Sequence, residues 1–267
     1  MPFCLFLVLF CSLLYQRLNA SLQLLKAAHF QFSCLRWSDG LAFLWFVFNN
    51  LELEYMINTL VFDYGGIIVN MDWHLLRNAL SEVGVSSFKS FLYRKKIKTL
   101  MNRYINGLEP DDAVMDDILA ICRPGTTVAR VNALICTLCG NIPASRLEAL
   151  VRLRSMYKVY LLSNINSFLW EQCLAKMKAL GYNVDDCFDQ VFLSYKMGVA
   201  KPGLQIYRMV ESATGLVPQN TLYFDDNADN CAAGKRLNYR TIHVRENRLE
   251  DYWNLIPDFR TVVGDRL

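Results

Sequence analysis

Seven polar positions stand out because each ends or follows a short apolar run. Asp63 closes the β-branched stretch Thr59-Leu60-Val61-Phe62 and is followed by Gly65 and Gly66. Ser163 and Asn164 end Lys158–Leu162, Lys201 lies in the loop after Gln190–Leu193, and Asp225-Asp226 end Thr221–Phe224 with Asn230 shortly beyond. A buried carboxylate is costly unless it is paired, bound to a metal or used in chemistry. Asp63 and Asp226 can supply hard oxygen ligands for Mg²⁺, which keeps several waters and favours carboxylate plus phosphate oxygens. The backbone carbonyl of Gly65 could join them. Ser163 offers a hydroxyl donor, and Lys201 a compact positive charge that can hold a phosphoryl group and offset carboxylates. Asp63 could then attack through its other oxygen and form an aspartyl-phosphate that water hydrolyses. Phosphoryl transfer asks a protein chiefly for positioning and charge neutralisation.

Each residue alone has a plainer explanation. Ser163-Asn164 could cap the next helix, Lys201 could be a solvated loop lysine, and Asp225-Asp226 could be turn chemistry. Function is favoured because they fall at successive strand ends in one order, and chemistry in open α/β sheets sits beyond the carboxyl ends of strands. Asp229 is expected to cap the following helix, and Asn230 to orient Asp226 or a metal-bound water. His29 and His243 have no partners at ligand spacing and are expected to be structural.

The elements that position these groups alternate. The strands around Thr59–Phe62, Lys158–Leu162, Gln190–Leu193, Thr221–Phe224 and Thr241–Val244 are separated by helical stretches, the last four by helices of ordinary length. That pattern predicts an α/β fold, a doubly wound Rossmann-like parallel sheet. After the first strand come four helical stretches with no strand: Trp73 to Gly84, Ser87–Ile105, Ala113–Cys122 and Val128–Cys139. Asp72 can cap the first of them. Together they are expected to form a small helical cap, residues 73–140, inserted into a core of residues 56–72 and 141–267. Pro143 begins the helix leading to the second strand, and Pro202 suits the first turn of a helix reaching about Ser212.

The order of motifs resembles the haloacid dehalogenase superfamily of phosphohydrolases. Motif one is Phe62-Asp63-Tyr64-Gly65-Gly66, motif two Leu161-Leu162-Ser163-Asn164, motif three Lys201 before Pro202-Gly203, and motif four Tyr223-Phe224-Asp225-Asp226-Asn227-Ala228-Asp229-Asn230. The resemblance runs from about Met56 to the C-terminus, and the helical insert is similar to that superfamily's small cap. Closest in pattern are bacterial phosphatases of α-glucose 1-phosphate. The resemblance implies Mg²⁺, a small phosphorylated substrate such as a sugar phosphate, Asp63 as nucleophile, and Asp63, Gly65 and Asp226 around the metal. It further implies Ser163, Asn164, Lys201, Gly65 and Gly66 around the phosphate, with Asp225 and Asn230 supporting them.

One departure matters. Most phosphatases of the superfamily carry an acid two positions after the nucleophile, where this chain has Gly65. General acid–base help is worth ~10²–10⁴-fold in rate. Asp72 or His74 could stand in, although Asp72 is better explained as a helix cap and His74 as a surface residue. A halide leaving group needs no proton, so a metal-independent 2-haloacid dehalogenase is one alternative; two further carboxylates beside Asp63 without a cation argue against it. A catalytically impaired binding or regulatory protein is the other. In the insert, Arg103 and Tyr104, beside the break at Asn106-Gly107, are candidates for facing the substrate.

Composition narrows the field. Of 267 residues, 53% are hydrophobic and 20% charged, ordinary for a globular α/β protein, and a formal charge of +3 without a basic aromatic stripe argues against nucleic acid. Arg94-Lys95-Lys96 and Lys98 are expected to form a solvated helix face. Nine scattered cysteines, with Cys136 and Cys139 as a solitary pair, point to free thiols in a reducing, cytoplasmic setting and not to a zinc or redox site. Residues 1 to 55 differ, being rich in Leu, Phe, Cys and Trp. Phe3–Leu14 and Leu41–Phe48 are too short to span a bilayer comfortably, so a membrane role is not expected. Met56 is expected to be the functional start, with a membrane-anchoring leader as the alternative.

Overall fold

A computed structural model of the chain describes residues 56–85 and 94–264. The apolar N-terminal stretches, His29 and residues 87–93 of the expected Ser87–Ile105 helix lie outside the described residues. No helix among the described residues is long and apolar enough to cross a membrane.

Five parallel strands form one sheet in the order β3-β2-β1-β4-β5. They are β1 (Thr59–Phe62), β2 (Lys158–Ser163), β3 (Gln190–Leu193), β4 (Thr221–Asp225) and β5 (Arg240–His243). β1 lies at the centre and is buried at every position, which is why its sequence is an unbroken apolar run and does not alternate. Side chains of neighbouring strand residues point to opposite faces, and the core divides accordingly. Leu60, Phe62, Val159, Leu161, Leu222 and Phe224 share one cluster with Leu147, Leu150, Trp170 and Met177. Val61, Tyr160, Leu162 and Tyr223 share the other with Ile206, Tyr207, Val210 and Ala233. A sheet covered on both faces by helices is the doubly wound architecture that the alternation of elements predicts.

The longer helices of the core are α5 (Ala144–Leu153), α6 (Ser167–Ala179), α7 (Leu204–Thr214) and α8 (Ala228–Arg236); between β1 and β2 the chain first forms α1 (Trp73–Glu82), α2 (Arg94–Ile105), α3 (Asp111–Leu119) and α4 (Val128–Leu138). Asp72 caps α1, its Oδ1 accepting from the amides of His74 and Leu75 at 3.0 and 2.9 Å. The four-helix insert has apolar clusters of its own, built on Val83, Met115, Val131 and Leu134 and on Leu100, Tyr104 and Val114.

Two helix starts differ from expectation. Pro202 is not in the first turn of α7, which begins at Leu204 after Gly203. The backbone N–H and C=O of Lys201 are both held by the Asn164 side chain, so the segment stays a loop. Asp229 does not cap α8; Asn227 does, its side chain accepting from the amides of Asp229 and Asn230. The Asx turn therefore forms two residues earlier than the charge pattern suggests.

Candidate active site

Parallel pairing fixes the heights of the strand ends. Phe62 is level with Leu161 on β2 and Phe224 on β4, and the Asp63 amide donates to the Phe224 carbonyl at 2.9 Å. Asp63, Ser163 and Asp225 therefore emerge together at the carboxyl edge, beside the point where the strand order reverses, β1 to β3 running to one side and β4 and β5 lying on the other. That is where ligands bind in open α/β sheets. All three are buried, as are Lys201 and Asn230.

Lys201 is the hub. Its Nζ lies 2.7 Å from Asp225 Oδ2 and 3.1 Å from Asp63 Oδ1, and donates to the Leu162 carbonyl at 2.7 Å. The loop that presents it is clamped by Asn164, whose Nδ2 donates to the Lys201 carbonyl at 2.7 Å and whose Oδ1 accepts from the Lys201 amide at 2.9 Å. Asn164, expected at the substrate, is thus engaged in aiming the lysine. Asp225 is also fully engaged: it accepts from Lys201, from the Asn227 amide at 2.8 Å, from Asn230 Nδ2 at 3.0 Å and from the Tyr223 hydroxyl. Asn230 therefore orients Asp225, not Asp226. Asp226 has its backbone carbonyl against His243 Nε2 at 2.9 Å, which gives that histidine a supporting place beside the site.

Asp63 Oδ1 accepts from the Tyr64 amide at 2.7 Å as well as facing Lys201. Carboxylate oxygens of Asp63, Asp225 and Asp226 lie within 4.8 Å of one another. Burial pushes the Asp63 carboxyl up to about 7; Lys201 opposes the rise, while Asp225 and Asp226 add to it. Asp226 is raised by burial and then by Asp225. For Lys201, burial favours the neutral amine, but Asp225 and Asp63 outweigh it and hold the ammonium. One lysine shared by three carboxylates, and closer to Asp225, leaves the cluster deficient in positive charge.

The geometry fits a hard divalent cation. All the donors are oxygens, as Mg²⁺ requires, and the space beside Asp226 is kept open by a glycine. Gly66 has φ +73°, and a Cβ there would lie 2.4 Å from Asp226 Oδ2. Gly65 has no such constraint, since a Cβ would meet Met71 Sδ at an ordinary 3.4 Å. Its lack of a side chain is thus a chemical difference that the backbone does not demand. Of the two alternative proton donors, Asp72 caps α1 through Oδ1 and His74 is exposed.

The insert meets the core at its own break. Gly107 has φ +64°, and a Cβ there would lie 2.1 Å from the Tyr195 carbonyl, while Ser194 Oγ donates to the Ile105 carbonyl at 2.6 Å. The break is a docking point on the short turn Ser194–Met197, and the exposed Arg103 side chain beside it pairs with Glu109. Tyr104 is buried and lines a cavity of about 250 Å³ with Asp112, Asp116, Asn132 and Phe168. Sequence reasoning missed Arg146, a fully buried charge beneath the Asp63 loop. Its signal was a cation in register with the apolar face of α5, at the i and i+4 spacing to Leu150.

The sequence matches the profile of haloacid dehalogenase-like hydrolases over residues 57–238. The chain belongs to that family. It is 27% identical over 187 residues to D-ribitol-5-phosphate phosphatase of Bacteroides thetaiotaomicron, covering 70% of this chain and 91% of that protein. Its fold is similar to the crystal structure of a haloacid dehalogenase family enzyme from Bacteroides thetaiotaomicron in a magnesium complex, with a TM-score of 0.64, 27% identity, and coverage of 70% of this chain and 92% of that one. A predicted hydrolase of the family from Porphyromonas gingivalis shares the fold with a TM-score of 0.67 at 24% identity, over 76% of this chain and 98% of that one.

Proposed function

We propose that this hydrolase is a Mg²⁺-dependent phosphomonoesterase acting on a small sugar or sugar-alcohol phosphate. The observation that carries the proposal is the charge imbalance at the carboxyl edge, where Asp63, Asp225 and Asp226 share Lys201 as their one close cation among the described residues. A metal-free dehalogenase would have to bury that excess negative charge or keep Asp63 protonated, and a protonated Asp63 is no nucleophile. The similarity to a ribitol-phosphate phosphatase and to a magnesium-bound family member supports the same choice.

In this proposal Asp63, Asp226 and the Gly65 carbonyl hold Mg²⁺, which would neutralise phosphate charge and the surrounding carboxylates. Asp63 Oδ1 accepts from the Tyr64 amide and faces Lys201; one oxygen of this carboxylate would face the metal and the other would attack phosphorus. The phosphorus–oxygen bond to the sugar breaks as the bond to Asp63 forms, the sugar oxygen takes its proton from water, and Lys201 and the Ser163 hydroxyl bind the transferring group. Water then attacks phosphorus and frees Asp63. Asp225 does not bind metal; it fixes Lys201. Residues 73–140 act as the cap that selects the substrate over a core of 56–72 and 141–267. The six described cysteines are all free, which suits a cytoplasmic enzyme.

The test is release of inorganic phosphate by the full chain from a panel of sugar and sugar-alcohol phosphates, with Mg²⁺ and with EDTA, beside halide release from 2-haloacids. Mg²⁺-dependent phosphate release supports the proposal. Halide release that survives EDTA would transfer the chain to the dehalogenase class.

A further inference from the structure

Arg146, in the first turn of α5, is 2% exposed and is the largest fully buried side chain among the described residues. A guanidinium has five N–H donors and no means of shedding its charge, and here each of its nitrogens is directed at acceptors. Nε and Nη2 form a fork on Glu250 at 2.6 and 2.9 Å, and Nη2 also reaches the Asn247 carbonyl. Nη1 donates to the Ile67 carbonyl at 2.7 Å and to Asn70 Oδ1 at 2.9 Å, with the Ile68 carbonyl at 3.4 Å.

These partners belong to three separate parts of the chain. Ile67 and Ile68 lie in the turn after Asp63, where the Tyr64 carbonyl accepts from the amides of Ile68 and Val69 at 2.8 and 3.0 Å. Asn70 and Met71 lead out to the helical insert and pair with its return segment, Cys139 to Asn141. Asn247 clamps the same exit, accepting from the Met71 amide at 2.8 Å and donating to the Met71 carbonyl at 3.1 Å. Arg146 thus ties together the turn, the exit and the C-terminal segment.

We propose that Arg146, held by Glu250, is a positioning residue for the metal loop. It fixes the turn 64–70 from behind, so that the Gly65 carbonyl and the open side of Gly66 stand opposite Asp226. It acts through that backbone and touches neither metal nor substrate. The inference rests on the proposed function for its metal, while the order it imposes on the loop exists without one.

The test uses the full chain and three variants. Arg146→Lys keeps the charge but loses the fork, Glu250→Gln weakens the fork from its half-exposed end, and Tyr157→Phe removes a hydrogen bond from Tyr157 to the Pro257 carbonyl, away from the loop. Two readouts are needed: a Mg²⁺ binding isotherm, and amide hydrogen exchange over residues 66–71 in the metal-free protein. Arg146→Lys should weaken Mg²⁺ binding ~10–100-fold, the range typical of residues that orient metal ligands, and should speed exchange in the loop. Glu250→Gln should move both in the same direction by less, and Tyr157→Phe should move neither. Wild-type isotherms and wild-type loop exchange in folded Arg146→Lys or Glu250→Gln would overturn the inference. A wild-type protein that binds Mg²⁺ but releases no phosphate would remove the phosphatase proposal and leave the isotherms to decide Arg146. A wild type that binds no Mg²⁺ would overturn both.

Discussion

At the scale of single residues, the site is governed by how few cations stand among its carboxylates. Lys201 is fully buried with Asp63 and Asp225 as partners. Removing one partner of a buried ion pair typically costs ~3–5 kcal/mol. Lys201→Met should therefore lower the unfolding free energy by about that amount in denaturant titration, as well as abolish turnover. Gly66 makes a second prediction. Gly66→Ala adds a Cβ at φ +73° against Asp226, a backbone strain of about 1–3 kcal/mol, and displaces the carboxylate. Its thermal stability should fall and its half-saturating Mg²⁺ concentration should rise; unchanged metal dependence would remove Asp226 from the metal site. Asp63, Ser163, Lys201 and Asp226 were legible in the sequence because each ends or follows a recognisable apolar run. The dependence of Lys201 on Asn164, and of Asp225 on Tyr223 and Asn230, was not, because those contacts are set by loop geometry that spacing does not encode.

At the scale of elements, the strands and the longer helices followed from apolar periodicity and punctuation, and among the described residues their limits moved by only a few residues; the short helices Val184–Cys187, Ser194–Met197 and Phe259–Val263 did not follow from either. The missed starts, at α7 and α8, were decided by side-chain hydrogen bonds to backbone, which local propensity does not reveal. The docking of the insert was equally hidden. Gly107 is a helix-breaking glycine in sequence, yet its function in the fold is close approach to the Tyr195 carbonyl. Gly107→Ala should push the end of α2 away from the turn Ser194–Met197. In the proposed function the cap selects the substrate, so KM should rise several-fold while kcat changes little. Steady-state kinetics on the best substrate of the panel would check this, and a fall in kcat alone would count against it.

At the scale of the whole molecule, one parallel sheet with its switch point at β1 gathers residues from 63 to 230 into a single buried cluster, and its electrostatics couple to global stability. Asp63 is raised from its ordinary 3.8 to about 7 by burial, against the pull of Lys201. Across that window the folded, metal-free protein holds a proton that the unfolded chain has released, so stability falls as pH rises. Melting in EDTA should show a midpoint that declines between about 4 and about 7, and Asp63→Asn should flatten the decline. Parallel pH profiles for the two proteins would show that another group is responsible. In the proposed function Asp63 carries the phosphoryl group. Rapid acid quenching during turnover with Mg²⁺, followed by peptide mass spectrometry, tests it most directly. A phosphoryl adduct on Asp63 in the wild type, absent from a folded and inactive Asp63→Asn variant, is the predicted result. Turnover retained in Asp63→Asn, or an adduct on a different residue, would contradict it.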